Sequence, residues 1–394
     1  MLLNRQELNH CMDEKGLEYI IGTMYQNVFY LTDYFSPNPY FLSSHITMVV
    51  FPRDEKKHPI LIISKSEAEM MTTSPGWAKE LRTYGEAFVT DTGTTGLIER
   101  DEHLRNLLKQ PSFPDAFAAC ADALKSLGAT NASAIGIDER GITPPNLEKL
   151  TQAVGTKMVY ASDVLSRTRL IKTAEEVRRL KKAVNITEEA IRAAMEQAWI
   201  GMTEKQLLQI YYAELARRGA EPMLNPLAFG SHAAHANAQA TDYIRLEPNR
   251  PVRFDIGCTY EHYFADTARI AVIGKLTERE YQIFDALRDG MAFAIEMIQP
   301  GRSFAEVFHA SMDRMKQRIP NYRRSHIGHG IGVEVYDPPM LGDSSEVFRE
   351  GMVMCIEAPY YEIGLGGYQV EEVIHVTKDG AEILSGRPVS IMEF

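Results

Sequence analysis

The chain has 394 residues, 45% of them apolar, and its 53 Asp and Glu against 42 Lys and Arg give a formal charge of -11. That length exceeds one ordinary hydrophobic core and predicts two domains. The acidic balance, with no Lys- or Arg-rich stripe, argues against nucleic acid as a partner, and no segment approaches the roughly 18 uncharged apolar residues of a membrane span.

In chain order, the opening MLLNRQELNHCMDEKGLEY turns polar after three residues, unlike a secretion signal. GLEYIIGT, NVFYLT, HITMVVFP, HPILIIS and the later AIGIDE read as strands from their β-branched and aromatic content. Asp115 to Leu127 has helical spacing of apolar residues, and Pro144 to Leu150 reads as a shorter helix. His45, His58 and His103 stand isolated and read as structural or surface residues. Cys11, Cys120, Cys258 and Cys355 are scattered without a CxxC pair, the pattern of reduced thiols in a cytoplasmic protein. Cys258 and Cys355 lie near the carboxylates discussed below and are candidates to line the same pocket.

The texture changes near residues 165 to 172. Thr173 with Glu176, Thr203 with Gln206, Thr277 with Glu280 and Ser303 with Glu306 have the spacing of a capping box, in which each end of the pair satisfies the other's backbone N–H. Each predicts a helix start. Helices then alternate with strand pairs. The expected architecture is a smaller N-terminal α/β domain, residues 1–168, followed by a C-terminal α+β domain, residues 169–394, with an antiparallel sheet and outer helices.

Five potential metal ligands fall in this second half: Asp255, Asp266, His329, Glu357 and Glu371. PVRFDIGCTYEHYFADTARIAVIG reads as two strands joined by a turn at Cys258 to Glu261, with Asp255 on the first strand and Asp266 on the second. In SHIGHGIGVEVYDPP, glycines flank His329 and permit close backbone approach. GMVMCIEAPYY and GGYQVEEVIHVT are strands carrying a glutamate among apolar neighbours, where a buried charge demands a partner. Four carboxylates and an imidazole in one buried pocket require neutralising cations, and two divalent ions balance the charge. Oxygen-rich ligands with one imidazole suit Mn(II), with Fe(II), Co(II) and Zn(II) as alternatives.

The strings FDIGCTYEHYFADTAR, GHGIGVEVYDPP, MCIEAPYY and GYQVEEVIHVT resemble the metal-binding half of the prolidase, aminopeptidase P and creatinase family over roughly residues 170 to 394, with a looser likeness around NVFYLTDY. The resemblance implies a pita-bread fold in the C-terminal domain. It places Asp255, Asp266, His329, Glu357 and Glu371 at the five ligand positions, with Asp266 and Glu371 bridging and Glu357 carrying the proton. It also implies hydrolysis by a hydroxide held between the metals, a dipeptide substrate, and homodimers in which one N-terminal domain lies near the partner's active site.

Three positions depart from the peptidases of that family. Tyr336 stands where they carry a second histidine, and Gln369 where they carry an arginine. In GSHAAHANAQATDY, Asn237 falls near the histidine of a Pro-His pair, with His235 two residues away. Tyr336, Gln369, Asn237, His235 and His326 are therefore candidates for substrate binding, with His232 a further pocket residue by proximity, while His262 and His375 read as structural. Replacing arginine by glutamine removes a bidentate carboxylate clamp. The leading reading is an Xaa-Pro dipeptidase. The alternatives are a non-peptide enzyme on the same metal fold, such as a dimethylsulfoniopropionate lyase or a C–N hydrolase, and a binding module without catalysis.

Overall fold

Runs such as MVVF and ILII carry no polar alternation, which fits strands covered on both faces. The computed structural model, which describes residues 2–38, 42, 45–223 and 226–394, places them in such a sheet. The chain divides into two compact units, Met1–Arg169 and Leu170–Phe394.

The first unit holds β1 (Tyr19–Gly22), β2 (Met48–Pro52), β3 (Ile60–Ser64), β4 (Glu80–Tyr84), β5 (Ser112–Phe113), β6 (Ile135–Ile137) and β7 (Val159–Tyr160), in the order β5-β4-β3-β2-β1-β6-β7. The inner pairs β1/β2 and β2/β3 are antiparallel and the outer pairs parallel. Ile20, Val49 and Leu61 enter the core on one face; Ile21, Val50 and Ile62 enter the core on the other. Helices α1 (Arg5–Glu14), α2 (Tyr25–Thr32), α3 (Glu99–Lys109), α4 (Ala116–Ser126), α5 (Pro144–Val154) and α6 (Ser162–Thr168) belong to this unit.

NVFYLT, expected as a strand, is helix α2. Residues 27–32 are all buried, so the helix lacks the polar face that would mark its period in sequence. Asp138, just after β6, accepts from Met24 N at 3.0 Å and Asn27 Nδ2 at 2.7 Å, capping α2 from far along the chain. The helix of Pro144 runs to Val154, past the expected Leu150, and stops at Gly155 with φ 74°.

In the second unit, α7 (Ala174–Glu196), α8 (Glu204–Arg217) and α9 (Glu278–Met297) each begin with a complete capping box at Thr173, Thr203 and Thr277. Helix α10 (Phe304–Lys316) starts after Ser303 as expected, but Ser303 makes no side-chain cap. The N–H of Phe304, the first helical residue, bonds to the carbonyl of Glu346 at 2.9 Å, so a neighbouring loop satisfies one of the open donors of the first turn.

Two sheets are central to this unit. One has the order β19-β13-β10-β9, built from β9 (Leu227–Phe229), β10 (Val252–Ile256), β13 (Thr267–Val272) and β19 (Met392–Glu393). The other has the order β15-β14-β16-β17-β18, built from β14 (His326–Gly330), β15 (Asp337–Gly342), β16 (Val353–Glu362), β17 (Gly366–Thr377) and β18 (Gly380–Ile383). Neighbours within both are antiparallel except β13 and β19. Helix α9 packs on β16 and β17, α7 on β13, and β13 meets β17, joining the sheets.

The segment expected to be one hairpin is more elaborate. Between β10 and β13 lie β11 (Cys258–Tyr260) and β12 (Tyr263–Phe264), paired antiparallel and also to β8 (Glu221–Pro222). The turn falls at Glu261 and His262, both with positive φ (48° and 66°), rather than at Cys258 to Glu261. His262 thus lies in a turn, and Asp266 lies just before β13. Gly257 makes this crossing possible, because a Cβ there would stand 1.7 Å from the carbonyl oxygen of Ala265. Gly257→Ala is expected to destabilise the protein by about 3 kcal/mol or more, since the clash is with the main chain of Ala265, which cannot turn aside as a side chain can. A urea midpoint equal to that of the unsubstituted protein would contradict this account.

Candidate metal centre

Alternation along β16 puts Cys355 and Glu357 on one face, and Glu371 on β17 is paired directly opposite Glu357. His329 on β14 pairs with Cys355. Asp255 on β10 and Asp266 before β13 come from the facing sheet. The structure brings all five expected ligands into one cluster. Oxygens of Asp255, Asp266 and Glu371 lie within 4.8 Å of one another, as do ligand atoms of His329, Cys355 and Glu371. Glu371 is common to both groups.

The glycines beside His329 have a reason other than ligand access. A Cβ at Gly328 would meet the carbonyl of Cys355 at 2.2 Å, and one at Gly330 the carbonyl of Pro338 at 2.4 Å. They let β14 press against its neighbours. His329 Nδ1 donates to the carbonyl of Gly330 at 2.9 Å, leaving Nε2 as the bare acceptor. Burial holds the ring below its ordinary pKa, so it is neutral, as a metal ligand must be.

Among the described residues, His329 Nε2 and Glu371 Oε2 are buried with no hydrogen-bond partner. Buried acceptors without donors are costly, and this N,O set fits divalent cations. Burial and the neighbouring carboxylates push Asp266 and Glu371 well above the ordinary carboxylate range. Burial raises Asp255 to about 6 against the pull of Arg253. Glu357 goes the other way: burial opposes its charge, but a hydrogen bond from His326 and the charge of Arg324 hold it below its ordinary value. Cys355 is pushed well up by burial and by Glu371, so it stays a thiol and is a poor ligand. Cys258 faces α7 instead, with its sulfur against Thr187.

The substrate-binding candidates separate. Tyr336 stacks on His329, ring centroids 3.9 Å apart and planes at 22°, while 58% exposed. His326 Nε2 lies 3.2 Å from Glu357 Oε1. Gln369 is buried, and its amide is taken up within the protein. It accepts from Arg253 Nη1 at 3.3 Å and Tyr361 Oη at 3.0 Å, and donates to Asp255 at 3.2 Å and Glu357 at 3.4 Å. It orients two carboxylates and has little left for a substrate. His235 and Asn237 are on an exposed loop; what this loop sends inward is main chain. The carbonyls of His235 and Ala236 accept from Arg253 Nη2 at 2.8 and 2.9 Å. The loop is anchored by buried Glu204, which accepts from Phe229 N, His232 Nδ1, and Thr241 N and Oγ1.

Two residues were missed in sequence. Arg253, fully buried two positions before Asp255, pairs with that carboxylate at 3.0 Å. Arg324 lies 3.5 Å from Glu357. An arginine inside the apolar strand segment VRFDI was the available signal for the first; nothing local marked the second.

An oxygen-rich cluster with orphaned acceptors, held between two antiparallel sheets, defines a metal-dependent hydrolase. Residues 178–378 match the model for metallopeptidase family M24 and residues 5–171 that for the Creatinase/Prolidase N-terminal domain; the chain belongs to this metallopeptidase family. It is 28% identical over 275 residues to an Xaa-Pro dipeptidase of Pyrococcus horikoshii, covering 69% of this chain and 76% of that one. It is 31% identical over 227 residues to an Xaa-Pro dipeptidase of Pyrococcus furiosus, covering 57% of this chain and 65% of that one. Its fold superposes on that of an Xaa-Pro dipeptidase from Bacillus anthracis with a TM-score of 0.80 at 20% identity, covering 99% of both chains. For the Pyrococcus horikoshii prolidase the TM-score is 0.76 at 22% identity, covering 98% and 99%. The C-terminal unit thus has the pita-bread fold of the prolidases.

The raised carboxyls set a pH dependence. Without metal, Asp255 is neutral in the fold well above its ordinary 3.8, and the stability this gives is lost as pH rises through about 6, when the site becomes charged. Cations offset that charge and bind only the deprotonated ligands. The difference in Tm between metal-loaded and chelator-treated protein is therefore expected to widen between about pH 5 and about pH 7.5. A difference independent of pH would show that these carboxyls do not titrate with the metal.

Proposed function

We propose that the protein is an Xaa-Pro dipeptidase in which Asp255, Asp266, His329, Glu357 and Glu371 would hold two divalent ions. The observation that carries the two-ion reading is the position of Glu371, with a carboxylate oxygen within 4.8 Å of ligand atoms of Asp255 and Asp266 and one within 4.8 Å of His329, together with the buried acceptors left without donors. Mn(II) is the preferred metal for this donor set, ahead of Fe(II), Co(II) or Zn(II). The substrate class rests on the Xaa-Pro dipeptidases among the relatives. The homodimer implied by the sequence resemblance belongs to the same reading. Four buried, unpaired cysteines support a reducing, cytoplasmic setting.

Bound divalent ions would supply Lewis acidity, making a water nucleophilic near neutral pH and polarising the scissile carbonyl. The remaining work falls to the chain itself. Glu357, held below its ordinary pKa, is anionic and ready to take a proton from the attacking water, then returns it to the leaving nitrogen. His326 fixes that carboxylate in place. Tyr336 braces the His329 ring; burial first, then the surrounding carboxylates, push its phenol up, so it stays an O–H donor for developing negative charge on the substrate oxygen. Gln369 and Arg253 keep Asp255 and Glu357 in register.

Asp266→Ala and Glu371→Ala are expected to bind fewer than two metal ions per chain and to lower kcat/KM on Xaa-Pro dipeptides by at least about a thousandfold. Metal analysis and a panel of dipeptides with proline second would measure both. Two retained ions with near-normal turnover in either variant would refute the ligand assignment. Inactivity of the metal-loaded parent across the whole panel would refute the substrate.

A further inference from the structure

The ring of Tyr336 is too open to solvent to be held by side chains packed around it, so its place on His329 depends on the backbone that carries it. That backbone is the loop 331–336, which leaves β14 after Gly330 and returns at Asp337, the residue paired with Gly330. Main-chain bonds hold the loop at Gly332, whose N–H donates to the carbonyl of Glu334 at 3.0 Å and whose carbonyl accepts from Phe264 N at 2.9 Å. The side chain of Asp337 is buried and turns back against the same glycine: a Cβ at Gly332 would stand 2.9 Å from Asp337 Oδ2. That point is also 3.5 Å from Cε and 3.6 Å from Nζ of Lys172, a buried lysine just before α7. The main chain of Lys172 is fixed, its N–H donating to the carbonyl of Gly351 at 2.8 Å. Its charge is also felt by Glu176, where burial pushes the carboxyl up to about 7 and Lys172 opposes the rise. Glu176 in turn accepts from Tyr263 Oη at 3.1 Å and, within the capping box of α7, from Thr173 N at 2.8 Å.

We propose that Lys172 is a positioning residue of the active site: its ammonium holds the buried Asp337 carboxylate and so fixes the 331–337 loop that lays Tyr336 on His329. A buried carboxylate that loses its positive partner is driven toward water. Asp337 adjoins Tyr336 in the chain, so such a movement carries the phenol with it. The start of α7 gives the ammonium a firm base, because Lys172 and the capping box next to it are tied to main chain and to Tyr263. The inference rests on the proposed reaction, in which Tyr336 donates to negative charge developing on the substrate oxygen. A displaced donor weakens the transition state more than the bound substrate, so the effect of Lys172 falls on kcat and passes through Tyr336.

The test compares Lys172→Met, Tyr336→Phe and the double variant with the parent protein, all metal-loaded and with metal content checked. K172M is expected to lower kcat on an Xaa-Pro dipeptide at least about tenfold while KM stays within about twofold. Y336F keeps the ring and removes the donor, so adding K172M to it is expected to cost less than about twofold more. A K172M loss of equal size in both backgrounds is what a merely structural lysine would give, and would overturn the inference. So would unimpaired turnover in K172M or in Y336F. Asp337→Asn, which removes the charge of the other partner, takes the place of K172M if that variant does not fold, with the same pattern expected. Hydrogen exchange reads the loop without turnover: in K172M, peptides spanning 331–337 are expected to exchange faster than in the parent while those of α9 do not. Unchanged exchange at 331–337 would overturn the inference. Faster exchange there, in a protein whose parent cleaves no Xaa-Pro dipeptide, would uphold the loop's anchor while removing the proposed substrate.

Discussion

The electrostatic repulsion of four carboxylates enclosed between two sheets is the constraint around which the C-terminal unit is built. Glu357 and Glu371 are directly opposed in antiparallel register, where like charges destabilise a strand pair. Asp255 and Asp266 approach from the other sheet. The protein answers two of the four from its own side chains: Arg253 pairs with Asp255, and His326 with Arg324 approaches Glu357. Among the described residues, Asp266 and Glu371 have no comparable direct ion pair with an arginine, and they are the pair pushed well above the carboxylate range. The charge left over is thus concentrated on the side chains for which a cation is the natural partner.

Holding such a cluster open requires rigidity behind it. Glu371 faces the cluster while its neighbour Glu372, on the other side of β17, bonds to Arg269 and Ser385. Arg269 also bonds to Glu188 on α7 and to the main chain of Glu371, tying α7, β13 and β17 together. On the opposite flank, Glu204 secures the loop whose carbonyls grip Arg253. Asp255, Glu357 and Glu371 are therefore each braced through at least one residue outside the ligand set. This kind of outer support is what keeps ligands oriented when charge would drive them apart.

What the sequence revealed follows from the range of the interactions involved. The capping boxes at Thr173, Thr203 and Thr277 were legible because donor and acceptor lie three residues apart. Ser303 had the same spacing yet makes no side-chain cap, and the contact that does hold the start of the helix, Phe304 N–H to the carbonyl of Glu346, comes from a distance. Helix α2 was misread because burial on all sides erased its period and its cap comes from Asp138. The ligand motifs were legible as charges inside apolar strands. Arg324 was not, since an arginine in the polar stretch NYRRSH has no local mark, and its place beside Glu357 depends on the pairing of β14 with β16.

Gln369 shows how a departure from pattern changes meaning once its neighbours are known. In isolation, glutamine in place of an expected arginine removes a cation from the site. In the structure a guanidinium is present there all the same, carried by Arg253 on β10 and resting 5.2 Å from the ring of Tyr361. A second guanidinium at position 369 would meet that of Arg253 at close range, with like charges enclosed in low dielectric. A neutral amide avoids this and does something a guanidinium cannot. It accepts from Arg253 and Tyr361 through its oxygen while donating to Asp255 and Glu357 through its nitrogen. The positive charge beside Asp255 comes from Arg253 on β10, so glutamine at 369 shapes how the ligands are braced without leaving the site empty of a cation.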